Sequence, residues 1–438
     1  MNFLKKLFIL IFLYAIFEGA FRKWFTSNYD FQLILIRDFL IIVGVIYGIT
    51  KKIYDFNQIG EKFLIIYTLS VLLWIIIQLT FSSINFLIYF IGIRNWILYV
   101  WFSFLFLRAF NEETISNIIK IILITVIPLS ILSIFQHYAP LDHFINTQIF
   151  SELDYVIYPN YTKDSYIAFV TPDIVRTSSA FTYHYGYSQY LKLLCPLVVL
   201  LIDNNKFESR FSNKYKFFII TFFLLAIVYS GSRQTVIFFL FMLFTYLILK
   251  IYIKDIKDLF KKIIFIFFLI FIFFFFIDRP IDAIYDRFLE ASNSESIFSR
   301  ISNMLFGTSI SWDNFTYLGQ GIGIGSNISS IFLGNTRFFV GEFETDRILG
   351  EGGILGIILI FLKYIFSFIY LKKTFKILNS TKEIFPFMFA IFIAQQLTLV
   401  QISGQLTTQV FTFLSLGLFL SVVSVYNEKI FNIKKSVF

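Results

Sequence analysis

Cysteine, histidine and charge are all scarce in this chain. Of its 438 residues one is cysteine, three are histidine and only 15% are charged. A lone Cys195 excludes a disulfide within the chain and any metal site built on cysteine pairs. His137, His143 and His184 lack the spacing of a metal site, so no metal and no cofactor is expected. Only His184, which follows Arg176 by eight residues, stays a candidate for a site role. So little charge also excludes an ordinary soluble domain.

What replaces the missing charge is apolar sequence, 58% hydrophobic and 21% aromatic. Runs of about 18 or more apolar residues are the signature of helices that span a bilayer. They fall over residues 4–21, 31–48, 63–81, 85–106, 118–135, 185–202, 217–229, 235–249, 263–277, 354–371, 384–400 and 406–425. The first follows Lys5-Lys6 like a signal peptide. It ends in Glu18-Gly-Ala-Phe-Arg22-Lys-Trp24 rather than a small-residue cleavage site, which predicts an uncleaved anchor. The expected fold is an all-α integral membrane protein with about twelve transmembrane helices, one polytopic domain over residues 1–438. Two long loops, about 137–183 and 278–353, interrupt it.

The net charge of +9 does not mark a nucleic-acid surface, and no nucleic-acid partner is expected. Its lysines sit in short loops on one side of the spans, such as Lys51-Lys52, Lys250 to Lys262 and Lys372 to Lys382. The positive-inside rule then puts both termini in the cytoplasm and both long loops outside it. Arginines show the opposite bias: Arg22, Arg37, Arg94, Arg176, Arg233, Arg279, Arg287, Arg300, Arg337 and Arg347 all fall in the outer half. A planar, permanently charged fork there points to bidentate binding of phosphate or carboxylate.

Several of these are site candidates. Arg233 lies in the tight turn Ser230-Gly-Ser-Arg233-Gln, at a depth where arginine usually lines a functional cavity or reaches for headgroups. Arg176 ends the first long loop, with a bridge to Asp173 as the plain alternative. Arg300 falls in an amphipathic stretch along the membrane surface. Arg94 neighbours Trp96 and Tyr99, where an aromatic-belt role competes with a site role. Glu342, Glu344, Asp346 and Glu351 crowd the entry to the tenth span; one could act as general base, or all could pair with Arg337 and Arg347. The run Gly319, Gly321, Gly323, Gly325 follows no strand of a βαβ unit, which leaves a plain turn or an anion-binding nest.

Taken in order, these segments resemble the O-antigen ligase and polymerase superfamily. The resemblance rests on Arg176-Thr-Ser-Ser-Ala-Phe181, Ser230-Gly-Ser-Arg233, Phe298-Ser-Arg300, Leu318-Gly-Gln-Gly-Ile-Gly323 and Glu342 through Arg347-Ile-Leu-Gly-Glu351-Gly-Gly-Ile-Leu-Gly356. The opening Glu18-Gly-Ala-Phe-Arg22-Lys-Trp24 and Arg37-Asp38 look like its polymerase-like branch. The resemblance implies inverting, metal-independent glycosyl transfer at the periplasmic face of a bacterial inner membrane. The donor would be an oligosaccharide on a polyprenyl diphosphate and the acceptor a second glycan. Arg176, Arg233 and Arg300, with Arg94, would bind the diphosphate, and Glu342, Glu344 or Asp346 would serve as base. Ligases of the family carry a His-Asn pair where this chain has Glu342-Phe343, which favours a polymerase. A ligase acting on lipid A-core or protein and a twelve-span flippase are the alternatives. The bilayer and a chain-length regulator complete the expected partners.

Overall fold

The computed structural model describes residues 2–25, 30–81, 84–140, 143–146, 176–203, 212–254, 285, 296–326, 329, 343–402 and 406–437. Among the described residues every regular element is helical. The first eight long helices are α1 (Asn2–Trp24), α2 (Asp30–Thr50), α3 (Ile59–Phe81), α4 (Phe86–Phe104), α5 (Glu112–Tyr138), α6 (His184–Ile202), α7 (Asn213–Tyr229) and α8 (Arg233–Tyr252). Two short helices follow, α9 (Ile297–Phe306) and α10 (Ser309–Asp313). The chain closes with α11 (Glu344–Gly352), α12 (Ile354–Thr381), α13 (Phe385–Leu399) and α14 (Leu406–Val437).

Eight helices among the described residues are long and apolar enough to cross a membrane: α2, α3, α4, α5, α6, α8, α12 and α14. The all-α membrane architecture therefore stands. Of the other expected spans, α7 has 17 residues and α13 has 15, while α1 carries Lys5, Lys6, Glu18, Arg22 and Lys23. The expected span at 263–277, and most of both long loops, lie outside the described residues.

Side-chain bonds fix the sense of each helix. At one end, Lys23 at the close of α1 reaches Ser178 at 2.9 Å. Gln78 near the close of α3 reaches the Glu351 carbonyl at 2.9 Å. Ser188 in the first turn of α6 meets Ser232, the N-cap of α8, at 3.0 Å. At the opposite end, Lys250 of α8 pairs with Asp203 after α6 at 2.5 Å, and Tyr252 bonds Asn379 near the close of α12 at 3.0 Å. Helices α1, α3, α5, α7 and α13 thus run one way, and α2, α4, α6, α8, α12 and α14 the other. The first end gathers Arg94, Arg176, Arg233, Arg300 and Arg347. The second gathers Lys51, Lys52, Lys250, Lys254, Lys372, Lys373 and Lys382, with Arg108 the one described arginine beside them. They are called the arginine end and the lysine end below.

Local sequence explains the irregularities. Pro128 supplies no amide hydrogen, and α5 breaks at Thr125, three residues before it. Asn111 caps α5 by accepting from the Thr114 amide at 2.9 Å. In α4 the five residues Arg94–Leu98 form a π turn that packs against α2. There Arg94 makes a two-pronged pair with Asp38, Nε to Oδ2 at 2.6 Å and Nη2 to Oδ1 at 3.1 Å. Glu18 and Arg22 approach to 3.6 Å as expected for residues four apart, but both are buried, and Arg37 joins Glu18 at 2.8 Å. A charge inside the bilayer costs roughly 2.5–3.5 kcal/mol, so pairing these charges offsets part of that cost while it ties α1, α2 and α4 together. Gly19 permits one close approach: a Cβ there would sit 2.2 Å from the Thr182 amide nitrogen.

Candidate functional site

The arginine end is built on α11. Its first turn presents Glu344 and Asp346, and its later turns Arg347 and Glu351, at the entry to α12. These side chains do different work. Asp346 is a joint: its Oδ1 accepts from the Thr308 amide at 2.7 Å, the Thr308 hydroxyl at 3.2 Å and the Ser311 hydroxyl at 2.6 Å. It fastens α10 to α11 and lines neither of the two cavities that Glu344 borders. Arg347 donates to the Gly325 carbonyl, and Gln401, its amide turned to accept, takes Nε and Nη2 of Arg347 at 3.0 Å each.

Glu351 secures the glycine run. It accepts from the Trp96 indole at 2.7 Å and from the Gly325 amide at 3.0 Å. Burial pushes its carboxyl up to about 7. The other amides of the run are also consumed: Gln320 donates to the Gly350 carbonyl at 2.6 Å, Gly321 to the Glu351 carbonyl at 3.3 Å, and Ile322 to Gln78 at 3.0 Å. The run is a turn strapped across α3, α4 and α11, not an anion nest. Glycine is required where it crosses α4, since a Cβ on Gly323 would lie 2.4 Å from the Ile88 carbonyl oxygen.

Glu344 is placed differently. Its side chain is about 10% exposed, one oxygen accepts from the Ile402 amide at 2.9 Å, and the other lies 3.6 Å from Lys363. It borders two cavities at once. A polar one of about 80 Å³ is lined by Tyr185, Gln234, Arg300, Phe343, Glu344 and Gln401 among others. An apolar one of about 140 Å³ is walled by rings and aliphatic chains including Phe63, Val100, Leu362, Phe366, Phe413 and Leu416. Asn95, Gln409, Glu344 and Lys363 add polar groups to the wall of the second.

Of the four arginines Arg300 alone lines one of these cavities; Arg233 and Arg176 stand near residues of the polar one, and Arg94 is engaged elsewhere. Arg300 lines the polar cavity, its guanidinium 5.8 Å from the Phe343 ring. Arg233 opens α8 directly before Gln234, which lines the same cavity. Arg176 stands 3.4 Å from His184 at the head of α6, beside Tyr185 of that cavity. Its loop is anchored by Thr177, which donates to the Tyr229 carbonyl at 2.9 Å, and by Lys23, which donates to the Ser179 carbonyl at 2.7 Å. Arg94 lines neither cavity; Asp38, Asn95, Gln409 and Tyr99 occupy its guanidinium. Glu342, Arg279, Arg287 and Arg337 lie outside the described residues.

Tyr185, Gln234, Gln401 and Lys363 were not among the residues expected from sequence. Gln234 adjoins Arg233, and Tyr185 with Gln189 and Lys192 makes a polar stripe in an otherwise apolar span, signals that could have found two of them. Comparison of the chain with protein-family models, characterised proteins and solved structures finds no match.

Proposed function

We propose that the protein is a membrane glycosyltransferase that polymerises oligosaccharide units carried on a polyprenyl diphosphate. The observation that carries this reading is the position of Glu344 on the wall between a polar, arginine-lined cavity and an apolar one. A lipid-linked sugar is the ligand whose two halves need both. The prenyl chain lies in the apolar cavity, and the diphosphate faces Arg300, Arg233 and Arg176. Arginine forks neutralise a leaving diphosphate most effectively where water is excluded and the local dielectric is low.

The chemistry follows from that placement. Glu344 accepts the proton of the acceptor hydroxyl, whose oxygen attacks the anomeric carbon from the face opposite the diphosphate. The new glycosidic C–O bond forms as the anomeric C–O bond to phosphate breaks, and the electron pair leaves on the diphosphate. Configuration inverts. The Ile402 amide holds one carboxylate oxygen, and Lys363 stands 3.6 Å from the other, the one that takes the proton in this reading. With lysines at the opposite end, the positive-inside rule turns the arginine end to the periplasm and leaves both termini in the cytoplasm.

Gel profiles of surface and lipid-linked glycan from cells lacking the protein test this. Single repeat units capped on the surface, with the ladder gone, are expected. Long polymer stranded on its carrier would mean a ligase. Repeat units held on the cytoplasmic side would mean a flippase.

A further inference from the structure

Below the polar cavity α6 carries a stripe of three polar side chains. Tyr185, Gln189 and Lys192 follow at intervals of four and three residues, which keeps them on one helix face. Tyr185 lines the cavity, and Lys192 lies roughly 10 Å farther along the helix at a rise of 1.5 Å per residue. Lys192 is 2% exposed, and its ammonium donates to the Gln234 side-chain oxygen at 3.2 Å. Gln234 in turn lines the cavity beside Arg300 and Glu344. Among the described residues no carboxylate pairs with Lys192. Lys250, by contrast, sits 2.5 Å from Asp203 and Lys363 3.6 Å from Glu344, while Lys23 at the close of α1 has two neutral oxygens, from Ser178 and Ser179, where Lys192 has one.

An ammonium buried in a spanning helix is costly, and such residues mark ligand or ion pathways. A single neutral amide offsets little of that cost. A charge-assisted bond to an anion is about twice as strong as a bond to a neutral acceptor. We propose that Lys192 is a further anion-binding residue of the cavity, its ammonium passing from the Gln234 amide to a phosphoryl oxygen when the ligand enters. The assignment rests on the reading of the cavity as the site of a lipid-linked diphosphate. Lys192 then supplies the cation on the inner side of that group, opposite Arg300 of the surface helix α9.

Binding of geranylgeranyl diphosphate to the purified full-length protein in nanodiscs tests it, with geranylgeraniol as the uncharged control and inorganic pyrophosphate as the lipid-free anion. Lys192→Met is expected to weaken diphosphate binding about tenfold and leave geranylgeraniol binding unchanged. Lys192→Arg is expected to restore most of the loss. Unchanged diphosphate affinity in Lys192→Met overturns the assignment. So does an equal loss for the diphosphate and the alcohol, which a folding defect alone would give. The wider reading fails separately. If wild-type protein binds pyrophosphate but neither prenyl compound, and Lys192→Met abolishes that binding, Lys192 keeps its role and the lipid-linked donor is excluded. Wild-type protein that binds no anion overturns both.

Discussion

The Ile402 amide donates to the Glu344 carboxylate at 2.9 Å, joining the third residue after α13 to the first residue of α11. With Lys363 3.6 Å from the other oxygen, this bond fixes the carboxylate where it borders both cavities. Glu344→Gln keeps an acceptor for that amide and removes the ability to take a proton. The expected result is a loss of roughly a hundredfold to ten-thousandfold in turnover, the usual scale of general-base catalysis, with little change in binding of the lipid-linked donor. Turnover of a purified donor into a glycan ladder measures it. Activity within threefold of wild type would take Glu344 out of the base role.

Arg233 opens α8, and its neighbour Gln234 lines the cavity. Arg233→Lys keeps the charge and discards the planar fork, so it isolates bidentate contact from simple attraction. Activity is expected to fall at least tenfold, the scale of one good bond to a charged group at 1.5–3 kcal/mol. Near-normal turnover in this variant would remove Arg233 from the diphosphate site.

The helices and their membrane character were legible from apolar run length, because a span needs little more than length and low charge. The lysine and arginine ends were also legible, since charge sorts along single helices. Partner choice was not. Nothing in the spacing of Asp346 separates it from Glu344, yet one has an oxygen engaged by Thr308 and Ser311 and the other borders two cavities. Likewise Arg94 looked like the other outer arginines. Its pairing depends on a π turn and on Asp38, a residue 56 positions away. Such choices are made by tertiary contact, which local sequence does not encode.

That pairing carries its own prediction. Breaking one side of a buried ion pair costs about 3–5 kcal/mol, while replacing both sides by apolar groups is often neutral. Asp38→Leu or Arg94→Met alone is therefore expected to lower the thermal stability of the protein in detergent sharply. The double variant is expected to recover most of the loss and to keep the proposed activity, because the Arg94 guanidinium is taken up by Asp38, Asn95, Gln409 and Tyr99. A double variant that is stable yet inactive would restore Arg94 to the diphosphate site.

Glu351 gives the chain a pH dependence whose sign is fixed by its surroundings. Burial raises its carboxyl from 4.5 to about 7, so the folded protein keeps this proton where an exposed glutamate has lost it. Its stabilising contribution is full below about pH 4.5 and is lost as the pH rises through 7, where ionisation charges a group buried against Trp96 and the glycine strap. Glu351→Gln removes the titration and keeps an acceptor for one of those two donors. Thermal melting of the purified protein from pH 5 to pH 8 is expected to show wild type losing stability with rising pH relative to the glutamine variant. Parallel curves across that interval would mean that the strap holds Glu351 ionised throughout, with Arg347, whose backbone is one turn away on α11, supplying the compensating charge.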